Sequence, residues 1–156
     1  MPAPKPAPKK SQSKIVTIGG KRLRLTSDGR TTTAKPAPEL EWRLQHAQVK
    51  ALRAMPEYGS QFLLAAGMEA GKRGKLSATI AKATGLETGE PDLKIYMIGA
   101  RILFIENKAE NGKLSKVQEL RHAALRNLDH RVEVIKATTC EEAASLAVNM
   151  VRDALA

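Results

Sequence analysis

Two stretches of the sequence decide the fold: Gly85-Leu-Glu-Thr-Gly-Glu-Pro-Asp-Leu93 and Leu103-Phe-Ile-Glu-Asn-Lys108. The first stretch leads into Leu93-Lys-Ile-Tyr-Met97 and the second contains Leu103-Phe-Ile105. Aliphatic and aromatic residues of this kind favour β-strands. The sequence predicts strands over 93–97 and 101–107. Gly99 lies between them and is suited to a tight turn. The strands over 93–97 and 101–107 are therefore predicted to pair as a β-hairpin.

Three side chains of this hairpin are suited to phosphodiester chemistry. Glu106 and Lys108 are two positions apart, so on a strand they project to the same face. Asp92 immediately precedes the first strand, so pairing of the strands would place it beside Glu106. Two carboxylates on neighbouring strands form an oxygen-rich site suited to Mg²⁺ or Mn²⁺. A lysine there can orient water or stabilise transition-state charge, although a Glu-x-Lys pattern alone is more often a solvated pair on an edge strand.

The remainder of residues 39–156 predicts an α/β domain with a mixed sheet and helices outside it. The other helices and strands are predicted from the spacing of apolar residues, from a proline that ends a helix and from a Ser or Thr that begins one. In chain order these are a helix over 38–55, a strand over 58–66, and helices over 76–84, 115–128 and 139–156, with a strand over 131–136 before the last helix.

Three predictions concern burial of single side chains. In the helix over 115–128, an apolar series at spacings of three and four is expected to face inward. His122, on the same helix, is expected at the surface, and Trp42 is expected to be a partly buried anchor. The inward series is Val117, Leu120, Ala124 and Leu128.

The N-terminal residues differ in composition from the rest. The 156-residue chain has 26 Lys and Arg against 16 Asp and Glu, and residues 1–40 hold nine of the basic residues but two of the acidic ones. The Pro- and Lys-rich residues 1–10 predict a disordered arm that binds polyanions or keeps the chain in solution. A β-hairpin is predicted over 14–25 and a linker over 31–38, so the expected domains are 1–38 and 39–156.

Composition excludes several classes of protein. Aromatic residues make up 3% of the chain, which argues against recognition by base stacking. The single cysteine excludes a disulfide framework and a cysteine-rich zinc site. Apolar runs fall short of the ~20 residues of a membrane span, so no membrane partner is expected. A net charge of +10 makes nucleic acid the first partner to consider.

The basic loop over 67–75 lacks the spacing of a phosphate-binding loop, so no nucleotide cofactor is expected. Its basic side chains are candidates for contact with the DNA backbone, and a solvated loop is the equally supported alternative. Two further lysines flank the start of the helix over 115–128. The candidate DNA-binding residues are Lys72, Arg73, Lys75, Lys113 and Lys116.

The motifs, taken together, resemble a known nuclease family. Pro91-Asp92 followed by Glu106-Asn107-Lys108 is similar to the PD-(D/E)xK nuclease motif. Gly85-x-x-x-Gly89 before it, Gly112-Lys-Leu-Ser115-x-x-Gln118 after it, and Val132-x-Val134 resemble the VRR-NUC (virus-type replication-repair nuclease) family. The resemblance runs from about residue 41 to the C-terminus and implies a restriction-endonuclease-like core.

The resemblance implies roles for individual residues. Asp92 and Glu106 would be metal ligands, with the backbone carbonyl of Asn107 as a third, and the metal would be Mg²⁺ or Mn²⁺. Lys108 would be the catalytic lysine, and Gln118 an additional active-site residue.

Two of the implied roles have alternatives. Ser115 and Gln118 also fit a helix capping box, and both roles are compatible. The family's acidic residue on the first helix is best matched by Glu41, with Glu39 as the rival. Glu41 is also explained as a favourable acid in the first turn of a helix.

The resemblance further implies a metal-dependent DNA endonuclease that leaves 5′-phosphate and 3′-hydroxyl ends. Small stand-alone members resemble phage resolvases of four-way junctions. Because cutting two opposed strands needs two sites, a homodimer is expected. The alternatives are a monomeric flap or nicking nuclease and a non-catalytic module that binds branched DNA. The expected location is the cytoplasm, that of the host cell if the chain is phage-encoded.

Overall fold

The computed structural model describes residues 12–19, 21–67, 79–80 and 83–156. The chain divides between residues 39 and 40 into two compact units. Within the described ranges, no helix is both long and apolar enough to cross a bilayer. The predicted arm over 1–10, nearly all of the loop over 67–75 and most of the helix over 76–84 lie outside the described residues.

The first unit is an antiparallel sheet in the order β1-β2-β3. Strands β1 (Gln12–Ile18) and β2 (Lys21–Ser27) form the predicted hairpin. Strand β3 (Thr32–Pro36) pairs with β2, so the prediction of a linker there was wrong. Asp28 Oδ1 accepts hydrogen bonds from the backbone N–H groups of Arg30 and Thr31, both at 2.8 Å. This Asx turn reverses the chain, and the β-branched threonines after it favour a strand.

The second unit contains, among its described residues, a four-stranded mixed sheet in the order β4-β5-β6-β7. Strands β4 (Phe62–Ala66), β5 (Leu93–Met97) and β6 (Arg101–Ala109) pair antiparallel, whereas β7 (Arg131–Ala137) is parallel to β6. The prediction of an α/β fold with a mixed sheet is therefore confirmed.

Helices cover both faces of this sheet. Helices α1 (Glu41–Arg53) and α3 (Cys140–Leu155) share the main hydrophobic core with the odd-numbered residues of β5 and β6. Helix α2 (Lys116–Asn127) lies on the other face, where Leu125 packs against Phe104 and Val132. Strand β6 is thus covered on both sides, and its even-numbered residues face α2.

The predicted inward face of α2 was wrong. Val117, Leu120 and Leu128 are 49%, 65% and 69% exposed, and Ala124 is also exposed. The buried residues of α2 are His122, which is 0% exposed, and Leu125. The inward face carries polar side chains, so hydrophobicity does not mark it. Trp42 is 63% exposed, which also contradicts its prediction as a partly buried anchor.

A buried pair of amides joins α1 to β6. Gln48 Nε2 donates a 2.6 Å hydrogen bond to Asn107 Oδ1, and both residues are about 1% exposed or less. Within the described part of the chain, Gln48 Oε1 and Asn107 Nδ2 have no hydrogen-bond partner. Asn107 therefore lies on the opposite face of β6 from Glu106 and Lys108, and its side chain orients α1.

We expect Gln48→Met to lower the free energy of unfolding by about 1–3 kcal/mol, because it leaves the Asn107 amide buried without a partner. Asn107→Leu has the corresponding effect on Gln48. The double variant removes both polar groups and should be close to wild type in urea unfolding followed by circular dichroism. Additive losses in the double variant would contradict this account.

Candidate active site

Asp92 lies immediately before β5 and is held there by hydrogen bonds. Its backbone carbonyl accepts from the Gly67 N–H at 2.7 Å and from Gln45 Nε2 at 3.2 Å. Its Oδ2 accepts from the backbone N–H of Asn107 at 2.7 Å. A Cβ at Gly67 would lie 2.8 Å from the Pro91 carbonyl oxygen, so only glycine permits this approach. The carboxylate of Asp92 is thereby fixed beside β6.

Glu106 is a buried carboxylate, 1% exposed. Leu93 pairs with Ile105, so Asp92 lies opposite Glu106 where this register continues. Oε1 of Glu106 accepts hydrogen bonds from Lys108 Nζ at 2.7 Å and from Gln118 Nε2 at 2.5 Å. The hairpin predicted from the sequence thus brings both predicted carboxylates to one end of the strand pair.

Lys108 is 8% exposed and lies among carboxylates. Burial alone would lower the pKa of Lys108. The hydrogen bond to Glu106 and the negative charges of Glu106, Glu41 and Asp92 outweigh burial and raise this pKa above its ordinary value. The lysine is therefore a fixed positive charge beside Glu106.

Gln118 is both a capping residue and a contact of Glu106. Ser115 Oγ accepts from the Gln118 N–H, and Gln118 Oε1 accepts from the Ser115 N–H at 2.9 Å, so the capping box is complete. Because Oε1 is engaged by the cap, Nε2 is the end that faces Glu106. The two alternative roles of Gln118 are thus made by opposite ends of one amide.

Glu41 reaches the site from the first turn of α1. Its Oε1 accepts from the Ala109 N–H at 3.3 Å and lies 3.9 Å from Lys108 Nζ. Glu39, the rival for this position, belongs to the other compact unit. Glu41 is half-exposed, with 49% of its side chain accessible, so it lies at the rim of the site.

Comparison with known proteins identifies the family of this chain. The VRR-NUC domain family model matches residues 41–139, which is more than half of the chain. The chain belongs to the VRR-NUC family. The VRR-NUC assignment implies a nuclease-type function with DNA as substrate, and nucleases of this family generally use divalent metal ions.

Among solved structures, this VRR-NUC chain is similar to one described as a VRR-NUC domain. The identity is 19% and the TM-score 0.45, over 72% of this chain and 94% of the other. Curated proteins show no significant match.

The prediction of His122 at the surface was wrong, and its place beside Glu106 was not predicted. His122 is fully buried on α2, and its Nε2 lies 3.6 Å from Glu106 Oε2. Burial lowers the pKa of His122, the positive charges of Arg126 and Lys108 lower it further, and Glu90 acts in the opposite direction. Its position four residues after Gln118 was the available signal, because residues four apart share a helix face.

The loop before Asp92 is joined to α2 by an ion pair. Glu90 contacts Lys94 at 2.9 Å and Arg121 at 2.7 Å. Burial alone would raise the pKa of Glu90, but hydrogen bonds from Lys94 and Arg121 lower it below its ordinary value. The carboxylate stays charged, so the pair links the segment that carries Asp92 to the helix that carries Gln118.

The candidate DNA-binding residues divide into two groups. Lys113 and Lys116 are exposed at the start of α2, close in sequence to Gln118. Lys72, Arg73 and Lys75 lie outside the described residues.

The donor set fits a divalent metal such as Mg²⁺ or Mn²⁺. Asp92 and Glu106 supply hard carboxylate oxygens at one strand end. In the described part of the chain, no three or more His, Cys, Asp or Glu side chains form a dedicated metal cage. Mg²⁺ is usually held by one or two carboxylates, with water and substrate phosphate completing its shell, so two carboxylates are sufficient.

We expect Gly89→Ala to destabilise the domain more than Gly85→Ala. Both glycines have positive φ, +78° and +93°, so each alanine costs about 1–2 kcal/mol in conformation. At Gly89 the new Cβ would also lie 2.8 Å from the Val117 carbonyl oxygen, whereas Gly85 has nothing within 4 Å. Urea unfolding of the two variants measures the difference. Equal losses would show that the loop does not press on α2.

Proposed function

We propose that this VRR-NUC protein is a metal-dependent DNA endonuclease that cuts branched DNA, with four-way junctions as the main substrate, as a homodimer. The observation that carries the proposal is the convergence of Asp92, Glu106 and Lys108 at one end of the β5–β6 pair, with Gln118 on Glu106. A module that only binds DNA would have no chemical need for all of these groups together.

The side chains divide the work as follows. Asp92 and Glu106, with the carbonyl oxygen of Asn107, would hold the cation, and Glu41 would lie beside them at the rim of the site. Lys108 orients the attacking water and stabilises the negative charge on the phosphate. Gln118 holds Glu106 in place through its amide. The reaction is an in-line attack on phosphorus that leaves a 5′-phosphate and a 3′-hydroxyl.

A bound Mg²⁺ or Mn²⁺ would supply Lewis-acid polarisation of the phosphate and lower the pKa of water in the site. The chain's own contribution is pre-organisation, since Asp92 and Glu106 are already fixed by hydrogen bonds.

DNA binding is supported by the distribution of charge. Lys113 and Lys116 are exposed beside the site and would contact phosphates of the scissile strand. Residues 1–40 add a net +7, which gives sequence-independent affinity that falls steeply with salt. Lys72, Arg73 and Lys75 are further candidates for contact with the backbone.

The exposed apolar face of α2 supports a dimer. Val117, Leu120 and Leu128 follow helical spacing and are about half to two-thirds exposed, and such a stripe is typical of an interaction surface. Gln118 lies on the same helix. A symmetric contact through this stripe would bring two active sites into one complex, as cutting two opposed strands requires.

Cleavage of labelled junction, flap and linear duplex DNA with Mg²⁺ or Mn²⁺ tests the activity. We expect paired symmetric cuts on the junction. Glu106→Ala and Lys108→Ala should lower the rate by at least about 100-fold, because the first removes a metal ligand and the second removes the positive charge beside the reacting phosphate. Lys50→Ala, at the far end of α1, is the matched control and should cut normally.

Other outcomes would overturn parts of the proposal. Cutting of flaps or of all substrates would remove the junction preference and keep the nuclease. Trp42, the single tryptophan, is 63% exposed in the first turn of α1, so its fluorescence can report binding of DNA to this end of the domain. Quenching by junction DNA without cleavage under either metal would favour a binding module.

The dimer is tested by light scattering coupled to gel filtration. We expect the wild-type chain to show twice the monomer mass and Leu120→Glu/Leu128→Glu to show the monomer mass, because two charges on the stripe oppose its burial. Ile98→Glu is the control, since Ile98 is 52% exposed on the β5–β6 turn. A monomeric wild type would favour the flap or nicking nuclease.

A further inference from the structure

His122 is an unusual residue to find at the centre of a domain. It is 0% exposed, and neither ring nitrogen has a hydrogen-bond partner within the described residues. Burial of a polar group without a hydrogen-bond partner lowers stability. An apolar side chain would fit the surrounding helix–sheet contact at lower cost, so stability does not explain this histidine.

The surroundings of His122 point to a role at Glu106. Nε2 lies 3.6 Å from Glu106 Oε2, just beyond the length of a hydrogen bond. The other oxygen, Oε1, contacts Lys108 and Gln118. Glu106 therefore has polar neighbours at both carboxylate oxygens, and His122 lies on the side of Oε2.

The spacing along α2 explains how both contacts arise. Gln118 and His122 are one helical turn apart and project from the same face. The capping box at Ser115 sets the start of this helix and the direction of the Gln118 amide. A single helix thus presents two polar groups to one carboxylate.

We propose that His122 is a positioning residue: its Nε2–H donates to Glu106 Oε2 and fixes the rotamer in which Glu106 serves as a metal ligand. The inference rests on the proposed function. The 3.6 Å separation would have to shorten to about 3.2 Å or less to make this hydrogen bond. Groups that orient metal ligands typically change metal affinity or activity 10- to 100-fold when removed.

Three substitutions in the full chain separate positioning from packing. His122→Leu removes both nitrogens. His122→Gln places an amide N–H near the position of Nε2, whereas His122→Asn places it near Nδ1, so the two amides are matched in chemistry and differ in reach. His130→Gln is the control, because His130 packs on Phe104 of the same strand, with ring centroids 5.4 Å apart.

The first readout is Mn²⁺ affinity by calorimetry without DNA, and the second is urea unfolding without metal. We expect His122→Leu and His122→Asn to bind Mn²⁺ about tenfold more weakly, and His122→Gln and His130→Gln to stay within about threefold of wild type. His122→Leu should unfold at equal or higher urea concentration, because it removes an unpartnered buried polar group. In cleavage assays, the Mn²⁺ concentration for half-maximal rate should follow the same order.

Wild-type Mn²⁺ affinity in His122→Leu would overturn the proposal. If His122→Leu lost both Mn²⁺ affinity and stability, the comparison of His122→Gln with His122→Asn would distinguish the two roles. Two amide variants of equal stability, of which only His122→Gln recovers Mn²⁺ affinity, would support positioning. Recovery of stability without recovery of Mn²⁺ affinity would overturn it. A wild-type chain that neither binds Mn²⁺ nor cuts DNA would overturn the proposed function, and this inference with it. A wild-type chain that binds Mn²⁺ and cuts DNA, together with His122 variants that do both equally well, would overturn this inference alone.

Discussion

The buried carboxylate of Glu106 is the constraint on which the rest of the domain depends. A charged carboxylate that is 1% exposed is tolerated only when neighbouring groups compensate for lost hydration. Here the compensation comes from Lys108 on the same strand and from Gln118 on α2. The strand therefore needs the helix at a defined register, and the capping box at Ser115 sets that register. The same contacts that permit burial also orient the carboxylate, because both Lys108 and Gln118 donate to Oε1.

Helix α1 meets the strand ends with a polar stripe rather than an apolar one. Glu41, Gln45 and Gln48 follow helical spacing and contact the Ala109 N–H, the Asp92 carbonyl oxygen and the Asn107 side chain. Directional contacts of this kind specify position better than apolar packing, which tolerates small shifts. The apolar residues Leu44 and Leu52 of the same helix supply the burial. Stability and alignment are thus provided by different residues of one helix.

The sequence predicts the strand pair and the alternation along β6, because each follows from local rules. The inward face of α2 could not be predicted by hydrophobicity, because polar Gln118 and His122 face inward beside Leu125 whereas Val117 and Leu120 are exposed. Strand β3 was missed because the Asx turn at Asp28 is a side-chain hydrogen-bond pattern, which composition does not reveal. The errors therefore concentrate where polar side chains decide the structure.

The packing of α1 against α3 has a consequence for how the molecule is made. These helices are the first and the last of the second unit in sequence, about a hundred residues apart. In the structure, Leu44 and Leu52 of α1 share one core with three residues of α3, which are Ala143, Ala147 and Val151. Contacts this distant in sequence slow folding. During synthesis, α1 cannot complete this core until residues 140–155 have left the ribosome. A nascent chain therefore carries the basic residues 1–40 before the core of the second unit is complete.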